Sequence, residues 1–342
     1  TGVVASESVL VAQGVGTGDG TFGSAFAVSA TGVLAHRTGT VSRRQLAWVD
    51  GTGKTLSVAW SQDDALISSP ELAPDARRVA SWRVVQNNFV VWLIDAIRGI
   101  PQRFTFDPSI DNTPIWSPDG SRIAFASNRD GQWDLFERPA NGTVDERKLL
   151  PSDQDEFPVH WSLDGRFLLY VTRGAKTRSD LWALPMVGER TPVPVAQSDA
   201  DERQGQFSPD GQWVAYVSNE TGRDEVYIRS FPAPGGKWQV SSAGGSDPRW
   251  RPNGQELFYV APDDKLMAVP IQVARETHTL NHDAPLALFS AGLATGSNIN
   301  VGWFSKQQYA VAADGRFLMN ISENTAVSPV TIVQNWTTAL KQ

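Results

Sequence analysis

Histidine and carboxylate side chains are the groups here that could perform acid–base or metal chemistry. The chain has 37 Asp and Glu, four His and no Cys. Thiolate ligation, disulfides and cysteine nucleophiles are therefore excluded. His160 stands directly before Trp161, and acidic runs recur around it: SDQDE at 152–156 and SDADE at 198–202. Asp111 and Asp247 precede Trp116 and Trp250 at similar short distances. Carboxylates gathered around one axis suit Ca²⁺ or Mg²⁺, which prefer oxygen ligands. A histidine added to them suits Mn²⁺ or Zn²⁺ with an open position for water, hence metal-assisted hydrolysis or elimination. The metal-ligand candidates are Asp111, Glu156, His160, Glu202 and Asp247, with His160 the catalytic candidate. The wider binding set adds Glu71, Arg203, Gln206 and Arg249. The plainer alternative is solvated loop acids paired with Arg203 and Arg249 and bonded to turn backbone. His36 falls on a strand, and His278 and His282 fall in a polar insertion. Ser24 in FGSAF and Ser246 in GGSDP do not form the G-x-S-x-G elbow of a serine hydrolase. The glycines of GTGDGTFG at 16–23 lack the Lys-Ser/Thr of a phosphate loop.

These residues are positioned by a repeat. WSPDG at 116–120 returns as WSLDG at 161–165, FSPDG at 207–211 and WRPNG at 250–254. Weaker copies are VSATG at 28–32, LAPDA at 72–76 and VAADG at 311–315. Successive copies are 44, 44, 45, 46, 43 and 61 residues apart. An apolar strand enters each turn and another leaves it, a hairpin signal because Gly tolerates positive φ. A third strand with a central large residue follows (Trp48, Trp92, Phe136, Trp182, Tyr227, Met267), then a short fourth. Four short strands in about 44 residues is the size of a propeller blade.

The expected fold is all-β: one seven-bladed propeller with blades at about 24–62, 67–106, 112–151, 157–197, 204–243, 246–290 and 307–342. The last unit lacks a fourth strand, which residues 8–13 would supply in a 3+1 closure that removes an exposed edge. The repeat tryptophans are expected to be core between blades, and the turn aspartates Asp119, Asp164, Asp210 and Asp314 to be structural. The 61-residue step contains Trp303 and Phe304, candidate anchors for a ligand. The net charge of -7 argues against a nucleic-acid backbone as partner, which needs a basic footprint. No run approaches the roughly 18 apolar residues of a membrane helix, so no membrane insertion is expected.

The pattern WSPDG…IAFASN…G…DLF resembles the TolB-type, WD-like propeller repeat. Phrases such as FSPDGQWVAYVSNETGRDEVYIRSFP and SPVTIVQNWTTAL look like the C-terminal propeller region of bacterial eukaryote-like Ser/Thr kinases and stand-alone relatives. Kinase motifs themselves are missing: there is no Gly-rich ATP loop, Val-Ala-Ile-Lys strand or His-Arg-Asp loop. The resemblance implies a monomeric, extracytoplasmic or periplasmic sensing module, part of a longer sensor, that binds a protein, peptide or glycan without catalysis. The alternative is a hydrolase or lyase with a divalent cation (Ca, Mn or Zn) in the central channel.

Overall fold

The computed structural model describes residues 26–29, 31–37, 44–61, 67–86, 88–173, 178–232, 235–274, 279–294, 306–322 and 330–334. The described elements are 28 β-strands in seven antiparallel sheets, without a helix among the described residues. Each repeat turn is a local hydrogen-bond machine. Ser117 N–H donates to Arg122 O at 2.9 Å, and the Ser117 hydroxyl accepts from Arg122 N–H at 2.9 Å. The Asp119 carboxylate accepts from Ser121 N–H at 3.0 Å, while Gly120 takes a φ of 69°. The same bonds recur at Ser162–Asp164 and Ser208–Asp210, so the turn aspartates are structural, as expected.

Six sheets form the ring. Five come from continuous chain, with inner strands Ile67–Leu72, Asp111–Trp116, Asp155–Trp161, Glu202–Phe207 and Ser246–Trp250. We number these blades two to six. In blade one the inner strands Tyr309–Val311 and Phe317–Ser322 pair with outer strands Arg44–Val49 and Thr55–Ser61. The six inner strands are neighbours in cyclic order, with Ser246–Trp250 meeting Tyr309–Val311 to close the circle. The repeat tryptophans pack between blades. The Trp116 indole donates to Glu71 O at 3.0 Å, and Arg78 and Arg122 stack on Trp116 and Trp161 at 4.7 and 5.0 Å.

This differs from seven blades with a 3+1 closure. The expected first unit, 24–62, is divided, and the strand beside Phe317–Ser322 is Arg44–Val49 instead of the C-terminal Val330–Gln334. The seventh sheet has three strands: Phe26–Val28, Val33–Arg37 and Val330–Gln334. Among the described residues it places no strand in the ring. Residues 8–13 lie outside the described residues. The physical reason is burial. Leu46 and Trp48 pack with Ala310, Ala312 and Leu318, while Ala47 and Val49 pack with Tyr309, Phe317 and Met319. A strand apolar on both faces needs cover on both, which a blade between two blades provides. Phe26, Val28, Val330 and Ile332 are exposed instead. A turn hairpin can therefore occur without a blade behind it.

Trp48→Ala tests this placement. Truncating a tryptophan 5% exposed within the ring is expected to cost about 3–5 kcal/mol in urea unfolding. A loss below about 1 kcal/mol would place the strand outside the core.

Candidate functional site

The residue before each turn-entering position occupies the same level on all six inner strands: Glu71, Ile115, His160, Gln206, Arg249 and Ala310. Just before this level the strands are bulged. The pairing register slips between Ser68 and Glu71, Pro158 and His160, Arg203 and Gln206, and Ser246 and Arg249. Four non-glycine residues adopt left-handed φ there: Ser69 (54°), Thr113 (49°), Gln204 (55°) and Asp247 (56°). A bulge re-aims the side chains that follow it, and strained backbone of this kind concentrates at special sites.

The bulged strands deliver a charged lock across the axis. Arg249 donates to both Glu71 oxygens, Nη1 to Oε1 at 3.1 Å and Nη2 to Oε2 at 2.9 Å. Lys306 Nζ lies 3.0 Å from Glu71 Oε2 and donates to Pro114 O at 2.8 Å, while Arg249 Nε donates to Tyr309 O at 3.1 Å. Blades one, two, three and six are thereby joined through three side chains and two carbonyls. Burial alone would raise the pKa of Glu71, but Arg249 and then Lys306 outweigh it and hold it at about 2. Burial lowers Lys306 to about 8.

His160 and Gln206 form a second layer of the lock. His160 Nδ1 accepts Phe207 N–H at 3.2 Å, and Gln206 Oε1 accepts Trp250 N–H at 2.6 Å. Each side chain thus holds the backbone of the next blade. Burial lowers the His160 pKa to about 3, so the ring is neutral with its proton on Nε2. Gln307 Nε2 donates to Gln204 O and Pro248 O at 3.0 and 3.2 Å. Asp247 is tied to Gln204 in both directions and to Ser246, and burial raises it to about 6.

The expected metal set is not assembled. No three His, Asp or Glu side chains among the described residues gather closely enough to hold an ion. Asp111 pairs with Arg129 at 3.3 Å, Glu202 accepts the Ser198 hydroxyl at 2.5 Å, and Arg203 pairs with Asp224. Glu156 is held by Ser152 and Leu135 N–H. These acids lie at blade interfaces because the acidic runs are staples. Asp155 and Asp201 each accept a backbone N–H from the preceding blade, of Trp133 and Ser179, at 3.2 Å, and the following glutamate is buried. Glu71 and Arg249 do meet, with His160 and Gln206 on the same level. Trp303 and Phe304 lie outside the described residues. Lys306, Gln307 and Gln308 escaped the sequence reading, although a signal existed. Lys306 stands five residues before Val311, as Asp111, Glu156 and Glu202 stand before their turn-entering aromatics.

Fold and axis together define a closed β-propeller whose centre is filled by its own polar side chains. Residues 51–190 match the family model of the TolB beta propeller domain. Two curated relatives are similar. YuxL of Bacillus subtilis, an uncharacterized peptidase, is 27% identical over 52% of this chain, a match spanning only 26% of YuxL. The uncharacterized Atu1656 of Agrobacterium fabrum is 25% identical over 55% of this chain and 68% of its own length. Among solved structures, a protein assigned as TolB from Agrobacterium tumefaciens superposes with a TM-score of 0.60 at 17% identity, over 83% of this chain and 99% of that one. TolB from Acinetobacter baumannii gives 0.55 at 16% identity, over 86% and 66%. At these identities the structures speak for the fold alone.

Two variants test the electrostatics. Glu71→Gln leaves Arg249 and Lys306 buried without their counter-ion and is expected to cost about 3–5 kcal/mol at pH 7. Because the folded pKa is depressed, this contribution is present above about 4.5 and is lost as pH falls toward 2, so the cost shrinks in that window. An equal cost at pH 3 and pH 7 contradicts it. Glu156 has the opposite sign. Burial, with Asp134 nearby, raises it to about 8, so its contribution is full below about 4.5 and is lost as pH rises through 8. Glu156→Gln should therefore gain melting temperature relative to the parent between pH 5 and pH 9. A constant difference refutes the assignment.

Proposed function

We infer that this chain is a non-catalytic binding or scaffold propeller that engages a protein or peptide partner on a loop face. The carrying observation is that the axial groups capable of chemistry are already engaged. Glu71 is consumed by Arg249 and Lys306, and His160 is neutral with Nδ1 occupied. A general base or nucleophile needs a free, matched group within reach of a substrate, and this level of the channel offers none. The loop face from which the inner strands enter is the better surface. It carries the exposed acids Asp130, Asp153, Asp199 and Asp263 on loops of successive blades, which suits a partner with basic side chains.

The location and context rest on family resemblance. The kinase-like phrases and the TolB-type repeat support an extracytoplasmic sensing or interaction module, within a longer protein or alone. Solved propellers of similar fold include an oligogalacturonate lyase, at 11% identity and a TM-score of 0.51, and YuxL is named a peptidase. Those activities belong to those proteins.

Affinity capture from a cell-envelope extract tests the reading, comparing the parent with a variant in which Asp130, Asp153 and Asp199 are replaced by Lys. A partner retained by the parent and lost by the variant is expected. Cleavage of a peptide or of oligogalacturonate by the parent, abolished by His160→Ala, would overturn it.

A further inference from the structure

Three successive blade interfaces repeat one buried arrangement. Asp111, Glu156 and Glu202 begin the inner strands of blades three, four and five, each no more than 2% exposed, and each has one carboxylate oxygen without a hydrogen-bond partner. Opposite them on the second strand stand Ser127, Thr172 and Ser218. A buried carboxylate with an empty oxygen is costly unless a cation or donor faces it.

Two of the three interfaces carry a cation from the chain beside these carboxylates. Asp111 faces Arg129, which follows Ser127-Asn128. At the Glu156 interface, Lys148 Nζ lies 2.6 Å from the neighbouring Asp134 carboxylate. Lys148 is the fourth-strand partner of Phe136.

At the third interface both cationic positions have changed. The residue following Ser218-Asn219 is Glu220 where the other blade has Arg129, and the fourth-strand partner of Trp182 is Pro194 where the other has Lys148. Asp180 and Glu202 bracket one serine: Ser198 N–H donates to Asp180 and the Ser198 hydroxyl to Glu202 Oε1 at 2.5 Å. No Arg or Lys pairs with Asp180 or Glu202 among the described residues. Lys237, whose charge acts on Glu202, is paired with Glu220, and Arg178 lies against Asp201 at 3.6 Å.

We propose that the interface between blades four and five binds a hard cation, calcium in class, through Asp180 and the free oxygen of Glu202, with the hydroxyls of Ser198 and Ser218 as neighbouring oxygen donors. Such a site has two carboxylates and several neutral oxygens, and belongs with the weaker, extracellular class of calcium sites, with Kd of about 10⁻⁴–10⁻³ M. The ion would do for this interface what Lys148 and Arg129 do for the other two. The site is separate from the axial lock, and Ser198 adjoins Asp199 of the loop face named in the proposed function.

The test uses chelator-treated protein at constant ionic strength, read by Tb³⁺ luminescence and by melting temperature in CaCl₂. The parent is expected to bind Tb³⁺, sensitised by the nearby Tyr216, to release it to Ca²⁺, and to gain roughly 2–4 °C at ten times Kd. Glu202→Gln should lose both signals, and Pro194→Lys, which restores the ammonium at the equivalent position, should lose them with the fold intact. Glu156→Gln should retain them. A parent without a Ca²⁺-dependent shift, or a shift undiminished in Pro194→Lys, overturns the site.

Discussion

A ring of sheets must join its end to its beginning without a covalent bond, and every other feature of this propeller depends on how that is done. Blade one is made of two distant pieces of chain. Its inner hairpin comes from residues 309–322 and its outer strands from residues 44–61. The join is apolar on both faces, through Leu46 and Trp48 on one and Ala47 and Val49 on the other. The axis adds a charged clasp. Lys306 and Tyr309, from the segment that closes the ring, reach Glu71, Pro114 and Arg249 on three other blades. A buried ion pair is not in itself a strong source of stability. This one has a geometric role, because its partners are in register only when the circle is complete.

The same economy of partners explains why the centre is a poor reaction site. An acid and a base with separated pKa values usually signal catalysis, and here Glu71 sits near 2 while His160 sits near 3. Both values put the groups in their resting states at neutral pH: the carboxylate is paired, and the imidazole accepts a backbone N–H. The perturbed groups are structural because each has found a partner inside the fold. The groups that have not are the interface carboxylates, where Glu156 and Glu202 keep an oxygen unpartnered. The interest of the molecule for small ligands therefore moves from the channel to the seams between blades.

Much of the fold was legible in the sequence. The Asp-Gly turns fix φ and hydrogen bonds locally, so WSPDG and its copies located the hairpins at 116–122, 161–167 and 207–213 without ambiguity. The interblade role of Trp116 followed from its periodicity. The blade count did not follow, because VSATG at 28–32 also makes a hairpin, and only burial tells a ring strand from an outlying one. Arg44–Val49 carried that signal in its two apolar faces. At the site, the level of Glu71, His160, Gln206 and Arg249 was legible by counting back from each turn. The direction of Asp111, Glu156 and Glu202 was not. A bulge lies between them and the turn, and past it strand alternation no longer predicts which way a side chain points. Lys306 was hidden by the 61-residue step, which broke the spacing just before the last inner strand.

The pairing of residues 44–49 with 317–322 is the claim on which the ring rests, and the absence of native cysteine makes it directly measurable. Gln45 and Ile321 are cross-strand neighbours. A protein carrying Gln45→Cys and Ile321→Cys, oxidised in its native state and analysed by peptide mapping, should yield a single intramolecular disulfide joining these positions and a higher melting temperature than its reduced form. Free thiols after oxidation, or a disulfide that forms only between molecules, would contradict the closure described for this propeller.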